Sequence, residues 1–250
     1  MKIRSLTKKA VIAFLLLSPV IIAATVAKKN SAPVLPMIMY YLPEDLRAES
    51  GELFVNSLYE NTGLQEYGLG KEVLAVALQG FNKLAKAGKL NKDSLLTIVD
   101  FSQSSKEKRF YVIDLKNVKL LFNTRVAHGR NSGLEYAKYF SNIMSSNKSS
   151  LGFYITQNTY VGSNGYSMRL KGVERNINDR ALNRNIVVHG ADYANDNYLQ
   201  SNGILGRSFG CPALPTKDNK AVIDIIKDGS CFFIYNSDEK YFKQSTVLNG

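Results

Sequence analysis

The chain is organised around Leu205-Gly206-Arg207-Ser208-Phe209-Gly210-Cys211-Pro212-Ala213, which carries one of only two cysteines in the sequence. Gly210 allows a sharp backbone turn before Cys211, and Pro212 fixes the direction in which the chain leaves the turn. A thiol on such a turn is presented rather than packed, and the amides of Gly210 and Cys211 can point at one oxygen atom. This arrangement is typical of a thiol nucleophile with an oxyanion hole, although a small buried cysteine remains the structural alternative.

A histidine lies upstream of this turn, in Ile186-Val187-Val188-His189-Gly190. The β-branched residues before His189 predict a short buried strand that holds the ring rigidly. Because a nearby imidazole makes thiolate at neutral pH, His189 is the predicted base, with a carbonyl such as that of Gly190 orienting it. The only other histidine, His128, is the competing choice, and either ring can instead be a satisfied structural residue.

Together these residues resemble the catalytic signature of the YkuD-like murein L,D-transpeptidases, in which His-Gly is followed, after a gap, by Ser-x-Gly-Cys. Further matches to the branch with a Ser-x-Gly-Cys-Pro-Ala turn are Val126–Gly133, Ser150–Tyr154 and Asn178–Ala181, so that the resemblance covers residues 95–236. Two positions depart from most relatives. Phe209 replaces a second histidine, and Pro212-Ala213 replaces an apolar residue followed by Asn.

The resemblance implies an α+β fold, with a mainly β, sandwich-like catalytic domain and an N-terminal helical segment packed on it. It implies a cysteine acyltransferase acting on peptidoglycan tetrapeptide stems, with a thioester on Cys211 and His189 as the base. It also implies acylation of Cys211 by carbapenems. An L,D-carboxypeptidase that hydrolyses the same bond and a catalytically silent wall-binding protein are the alternatives.

Substrate contacts are predicted on both sides of the nucleophile. The matching stretch around His128 lines the pocket in the family, and a guanidinium such as that of Arg207 suits the carboxylate geometry of a peptide stem. Arg207 can equally brace its own loop. The predicted substrate-binding residues are His128, Arg130, Asn131, Arg207 and Ser208.

The charge of the chain favours an anionic environment without identifying it. The formal net charge of +11 falls to +7 if the four basic residues before Ala27 are removed. The basic residues are scattered, without an arginine-rich helix or zinc-finger spacing, so nucleic acid is not the expected partner. Two histidines and two cysteines lack metal-ligand spacing, so we expect neither a metal nor a cofactor.

Residues 1–27 read as a signal peptide, with a basic start, an apolar run over 10–24 and small residues at Thr25-Val26-Ala27. An exported protein, periplasmic or associated with the cell wall, is therefore expected. The alternative is an uncleaved membrane anchor, but the apolar run is shorter than the roughly 20 residues that usually span a bilayer. The remaining predicted divisions are a linker 28–49, a helical segment 50–94, the catalytic domain 95–236 and a polar tail 237–250.

Two further patterns concern the core. Leu53, Phe54 and Leu58 in a first helix, and the apolar residues of 73–85 in a second, recur at helical spacing. Cys231 lies in the apolar run Cys231-Phe232-Phe233-Ile234-Tyr235, which predicts a buried, inert thiol. A Cys211–Cys231 disulfide is the alternative, and it would block the nucleophile. The loop 129–150, rich in Ser and Asn, is long enough to be a functional lid.

Overall fold

The structure, a computed structural model, describes residues 44–250, with side chains described from Gly51 onward. The predicted signal peptide 1–27 and the first part of the linker 28–49 lie outside the described residues. No helix within residues 44–250 combines the length and the apolar character needed to cross a bilayer. The described residues belong to one compact unit.

Two helices precede the sheet: α1 (Glu44–Thr62) and α2 (Lys71–Lys86). The apolar stripe predicted for α2 is buried from Val73 to Leu84, which confirms its role in the core. In α1, Phe54 and Leu58 are buried but Leu53 is 61% exposed, so the stripe there is narrower than the spacing suggests. Helix α1 begins at Glu44, inside the segment expected to be a linker.

The strands begin where the helical spacing of apolar residues ends. They are β1 (Lys92–Asp100), β2 (Phe110–Asp114), β3 (Lys119–Thr124), β4 (Gly152–Gly162), β5 (Gly165–Gly172), β6 (Val187–Gly190), β7 (Ala213–Leu214) and β8 (Ser230–Tyr235). Lys116-Asn117 between two apolar runs predicts a hairpin, and the antiparallel pair of β2 and β3 confirms it. The other helices are α3 (Asp196–Asn202), α4 (Thr216–Ile226), α5 (Glu239–Gln244) and α6 (Thr246–Asn249).

One mixed sheet joins the eight described strands in the order β3-β2-β1-β8-β4-β5-β6-β7. The pairs β1–β8 and β6–β7 are parallel, and the remaining pairs are antiparallel. The chain leaving edge strand β3 bridges the opposite edge, where Ala127 pairs with Ala213 of β7. This bridge brings the two edges together, so the sheet curves round its core. The predicted α+β fold, mainly β with helices packed on it, is confirmed.

The C-terminal residues are folded, although the sequence suggests a polar tail over 237–250. Helices α5 and α6 bury Tyr241, Val247 and Leu248. The fully buried carboxylate of Glu174 accepts hydrogen bonds from the Phe153 amide at 2.7 Å and from the hydroxyls of Ser245 and Tyr241. A carboxylate is stable inside a protein only when such donors satisfy it, so Glu174 fixes the last helices on the domain. Helices of one turn leave almost no periodic signal in a sequence.

Helix α2 lies very close to the sheet at Gly80. A Cβ atom at this position would lie 2.0 Å from Cζ of Phe153 on β4. The Phe153 ring stacks in turn on Phe233 of β8, with ring centroids 4.1 Å apart. A helix can therefore lie flat on these rings only where it carries no side chain.

Candidate active site

The turn that carries Cys211 is held against strand β6 by the parallel register of β6 and β7. His189 lies opposite Ala213 in this pair, which places the backbone of Val187 beside Cys211. The Val187 amide donates a hydrogen bond to Sγ of Cys211 at 3.4 Å, and the thiol donates to the Asn185 carbonyl at 3.5 Å. Cys211 is partly exposed. The strand that ends in the histidine thus also supports the thiol.

Ser208 shapes the turn from inside. Its buried hydroxyl accepts from the Gly210 amide at 3.0 Å and donates to the Cys211 carbonyl at 2.6 Å. Gly210 has a φ of +125°, and a Cβ there would lie 2.8 Å from the Lys148 carbonyl oxygen. Both the positive φ and the close approach require glycine. Ser208 therefore acts on the backbone here, and the substrate contact predicted for it stays a prediction.

The candidate oxyanion site differs in detail from the two amides that the sequence suggests. The Gly210 amide is already engaged by Ser208. Within residues 51–250, by contrast, the Cys211 amide has no hydrogen-bond acceptor. An amide without an acceptor beside a thiol is the donor that a developing oxyanion can use.

His189 presents one ring nitrogen for proton transfer. Its Nδ1 lies 2.9 Å from the Gly190 carbonyl oxygen, as the sequence predicts. Since a carbonyl only accepts, Nδ1 carries the proton and Nε2 keeps its lone pair. Burial lowers the pKa of His189, and the Gly190 carbonyl acts in the opposite direction. The ring is therefore neutral near pH 7, as a general base must be.

The thiol of Cys211 and the imidazole of His189 are not hydrogen-bonded to each other in the described structure. Among the described residues, the hydrogen bonds of Sγ of Cys211 go to Asn185 and Val187, and none joins it to His189. Burial raises the pKa of the Cys211 thiol, whereas the Val187 amide and the Arg184 charge lower it.

His128 occupies a very different site. It is 1% exposed, and its Nδ1 accepts from the Arg109 guanidinium at 2.8 Å while Nε2 faces the Gly133 carbonyl at 3.3 Å. Burial, and next the Arg109 charge, lower the pKa of His128 to about 3. Nε2 thus braces the start of the 129–150 loop, and Nδ1 ties the ring to Arg109. The substrate contact predicted for His128 stays a prediction, and it would require this pair of hydrogen bonds to open.

The other predicted contact residues are Arg130, Asn131 and Arg207. Arg130 is exposed and places its guanidinium 5.7 Å from the ring centroid of Phe209, which is itself 68% exposed. Arg130 and Arg207 line one cleft together with Tyr198. The Asn131 side chain donates to the Ser146 carbonyl at 2.9 Å. Arg130 and Arg207 are therefore the predicted contact residues whose charges face solvent, and the cleft that they line includes neither Cys211 nor His189.

Two residues of the site have no sequence prediction. The hydroxyl of Ser149 accepts from the Gly129 amide at 3.0 Å and donates to the Gly210 carbonyl at 3.2 Å. Arg184 lies against the same turn and holds the 141–150 segment. Both act through tertiary contacts between distant segments. The only signal for Ser149 was its place next to the matching stretch that starts at Ser150.

The second cysteine lies in the core rather than at the Cys211 turn. Cys231 is fully buried on β8, and both cysteines are free thiols. Burial raises the pKa of the Cys231 thiol. Within the described part of the chain, no group of three or more His, Cys, Asp or Glu side chains is placed to hold a metal ion.

Solved structures that align with the chain include an L,D-transpeptidase in complex with imipenem, at 14% identity and TM-score 0.35 over 57% of this chain and 59% of that one. An L,D-transpeptidase from Mycobacterium smegmatis aligns at 12% identity and TM-score 0.36 over 57% and 59%. The helical cell shape determining protein of Campylobacter jejuni aligns at 15% identity and TM-score 0.38 over 66% and 57%. The alignments span less than two thirds of each of these three chains.

No protein with a curated description matches the chain closely enough for comparison. The family assignment rests instead on a family model described as an L,D-transpeptidase catalytic domain, which matches residues 65–235. This range covers more than half of the chain and begins before α2, so the second helix is part of the family unit. The chain belongs to the L,D-transpeptidase catalytic domain family.

Proposed function

We propose that the protein is a cysteine acyltransferase, an L,D-transpeptidase that acts on the tetrapeptide stems of peptidoglycan. The observation that carries the proposal is the partly exposed Cys211 thiol, next to its own unpaired amide and to a neutral histidine on the adjoining strand. These are the nucleophile, the oxyanion donor and the base that acyl transfer requires.

In the proposed reaction, the Cys211 thiolate attacks the carbonyl of an L-to-D peptide bond. The Cys211 amide stabilises the oxyanion, the C–N bond breaks, and His189, protonated when the thiolate forms, protonates the departing D-amino acid. The amine of a second stem then attacks the thioester, His189 accepts its proton, and the thiolate leaves. The Gly190 carbonyl keeps Nε2 as the nitrogen that carries the proton in both halves.

Substrate recognition is proposed for the cleft beside the turn. Arg130 and Arg207 expose guanidinium groups there, and such groups bind carboxylates in a bidentate manner. Stem peptides carry free carboxylates. The proposal also places the protein outside the cytoplasm, in the periplasm or at the wall, because the substrate lies there and the N-terminal sequence has the pattern of a signal peptide.

The test incubates purified full-length protein with disaccharide tetrapeptides and identifies the products by mass. Crosslinked dimers that disappear in Cys211→Ala support the transferase, whereas tripeptide alone would identify an L,D-carboxypeptidase. Absence of any product would favour a silent wall-binding protein. Cys231→Ala is the matched control, because it removes the other thiol, and it should retain activity.

Carbapenem acylation gives a second readout that needs no acceptor. One adduct on the intact protein, absent in Cys211→Ala and present in Cys231→Ala, is expected. An unmodified wild-type protein after long incubation would argue against an accessible thiolate.

A further inference from the structure

The Arg184 side chain makes its hydrogen bonds to one loop segment, residues 141–150. Its guanidinium donates to the carbonyls of Ser141 and Lys148, both at 2.6 Å, to the Ser150 hydroxyl at 2.5 Å and to the Ser146 hydroxyl at 3.2 Å. Four donor contacts from one planar group fix the 141–150 segment in a single position, because the fork of an arginine is rigid.

The same guanidinium lies against the nucleophile turn. A Cβ at Gly210 would be 3.3 Å from a terminal nitrogen of Arg184 and 2.8 Å from the Lys148 carbonyl that Arg184 holds. The residues that follow, Asn185 and Val187, contact Sγ of Cys211 directly. One short segment therefore brings both a positive charge and an amide donor to the thiol.

The charge of Arg184 has no counter-ion among the described residues. All four of its hydrogen-bond acceptors are neutral, and none of the ion pairs within residues 51–250 includes it. The side chain is half-buried, and an arginine cannot lose its proton to relieve the cost of burial. A partly buried cation without a carboxylate favours an anion nearby. Two acidic groups interact with the Arg184 charge, the phenol of Tyr154 and the thiol of Cys211. Burial raises the pKa of Tyr154 and keeps the phenol neutral, so the thiolate of Cys211 is the candidate anion.

We propose that Arg184 is a positioning residue that stabilises the Cys211 thiolate by its charge and holds the 141–150 loop against the nucleophile turn. The proposal deepens the function proposed above, because a thiolate is the species that attacks. Burial raises the pKa of the Cys211 thiol, and the Arg184 charge opposes this by lowering it, as stabilisation of the thiolate requires.

The experiment measures the rate of alkylation of Cys211 by iodoacetamide as a function of pH, in the full-length protein. The modified peptide is identified by mass, which separates it from Cys231. Arg184→Gln should raise the midpoint by about one to three pH units, the effect of losing an adjacent opposite charge. Arg184→Lys keeps the charge and should stay within about 0.5 unit of wild type. Arg180→Gln, an exposed arginine on the same segment, is the matched control and should change nothing.

Hydrogen exchange over residues 141–150 tests the second statement of the proposal, that Arg184 holds this loop in place. Exchange should accelerate in both Arg184 variants, because lysine cannot make the four contacts, and should be unchanged in Arg180→Gln. A folded Arg184→Gln variant with the wild-type midpoint overturns the proposal, as does a Lys variant whose midpoint rises as far as that of Gln. If Arg184→Gln does not fold, the test rests on Arg184→Lys. Hydrogen exchange over residues 141–150 at the wild-type rate in that variant would overturn the proposal.

Failure of the proposed function would look different. Alkylation reports the thiol itself and needs neither stem peptide nor acceptor. A Cys211→Ala variant that still makes crosslinks would remove the transpeptidase assignment and leave the Arg184 result as it stands.

Discussion

The two histidines of this chain lie in regions built in opposite ways. At His128, both ring nitrogens are occupied, by a buried arginine and by a carbonyl, so the ring cannot exchange a proton without breaking the loop. At His189, only Nδ1 is bound within residues 51–250, and the neighbouring carbonyl that binds it leaves Nε2 with its lone pair. Saturation of the hydrogen-bonding capacity marks a structural histidine, whereas one unused nitrogen beside a nucleophile marks a candidate base.

The largest expected effect comes from removing His189. We expect His189→Ala to reduce turnover by about 10²- to 10⁴-fold, the usual contribution of a general base, and to move the midpoint of Cys211 alkylation to higher pH. His128→Ala is the comparison and should leave the thiol pKa near its wild-type value. The pH dependence of alkylation in each variant provides the measurement. If the His128 variant shifts this curve and the His189 variant does not, the two histidines have been assigned the wrong way round.

Stability should respond in the reverse order. His128→Ala leaves the buried Arg109 guanidinium without one acceptor, and we expect a loss of about 2–3 kcal/mol in the free energy of unfolding. His189→Ala breaks only a hydrogen bond to the adjacent residue and should cost less. Urea titration of both variants measures the difference. Equal losses in the two variants would contradict the bracing role of His128.

Acid sensitivity sharpens the same contrast. The folded-state pKa of His128 is lowered to about 3, below the ordinary histidine value, so the unfolded state binds more protons between these two values. Stability contributed by neutral His128 is therefore complete above about pH 6.5 and falls as the pH drops towards 3, by at most about 1.4 kcal/mol per pH unit. His128→Asn should flatten this slope in unfolding experiments from pH 7 to 4. An unchanged slope would show that other groups govern acid unfolding.

The smallest effect is expected at Phe209, which stands where most relatives have a second histidine. Its ring is largely exposed, and the Arg130 guanidinium lies 5.7 Å from the ring centroid. Phe209→His should therefore leave the alkylation midpoint of Cys211 within about 0.5 unit of wild type, since an exposed ring is well screened. A clearly larger fall would mean that this position is coupled to the thiol and shares the base role.

The sequence predicts what depends on neighbouring residues along the chain. The strand leading to His189, the hairpin at Lys116-Asn117 and the carbonyl that orients the imidazole all follow from local pattern. Ser208 capping Gly210 is equally local and could have been predicted from a serine two residues before a glycine in a turn. The interactions of Arg109 and Arg184 depend on segments brought together only by folding, and no spacing in the sequence encodes them.

The contact between Gly80 and Phe153 limits the order in which these two positions can be substituted during evolution. With a Cβ at position 80 only 2.0 Å from the ring, a lineage that acquires a side chain on α2 must first reduce the aromatic residue on β4. The reverse order passes through a variant whose helix is displaced from the sheet. The two positions should therefore vary together among descendants of this chain. Position 80 should keep a glycine wherever position 153 keeps an aromatic ring.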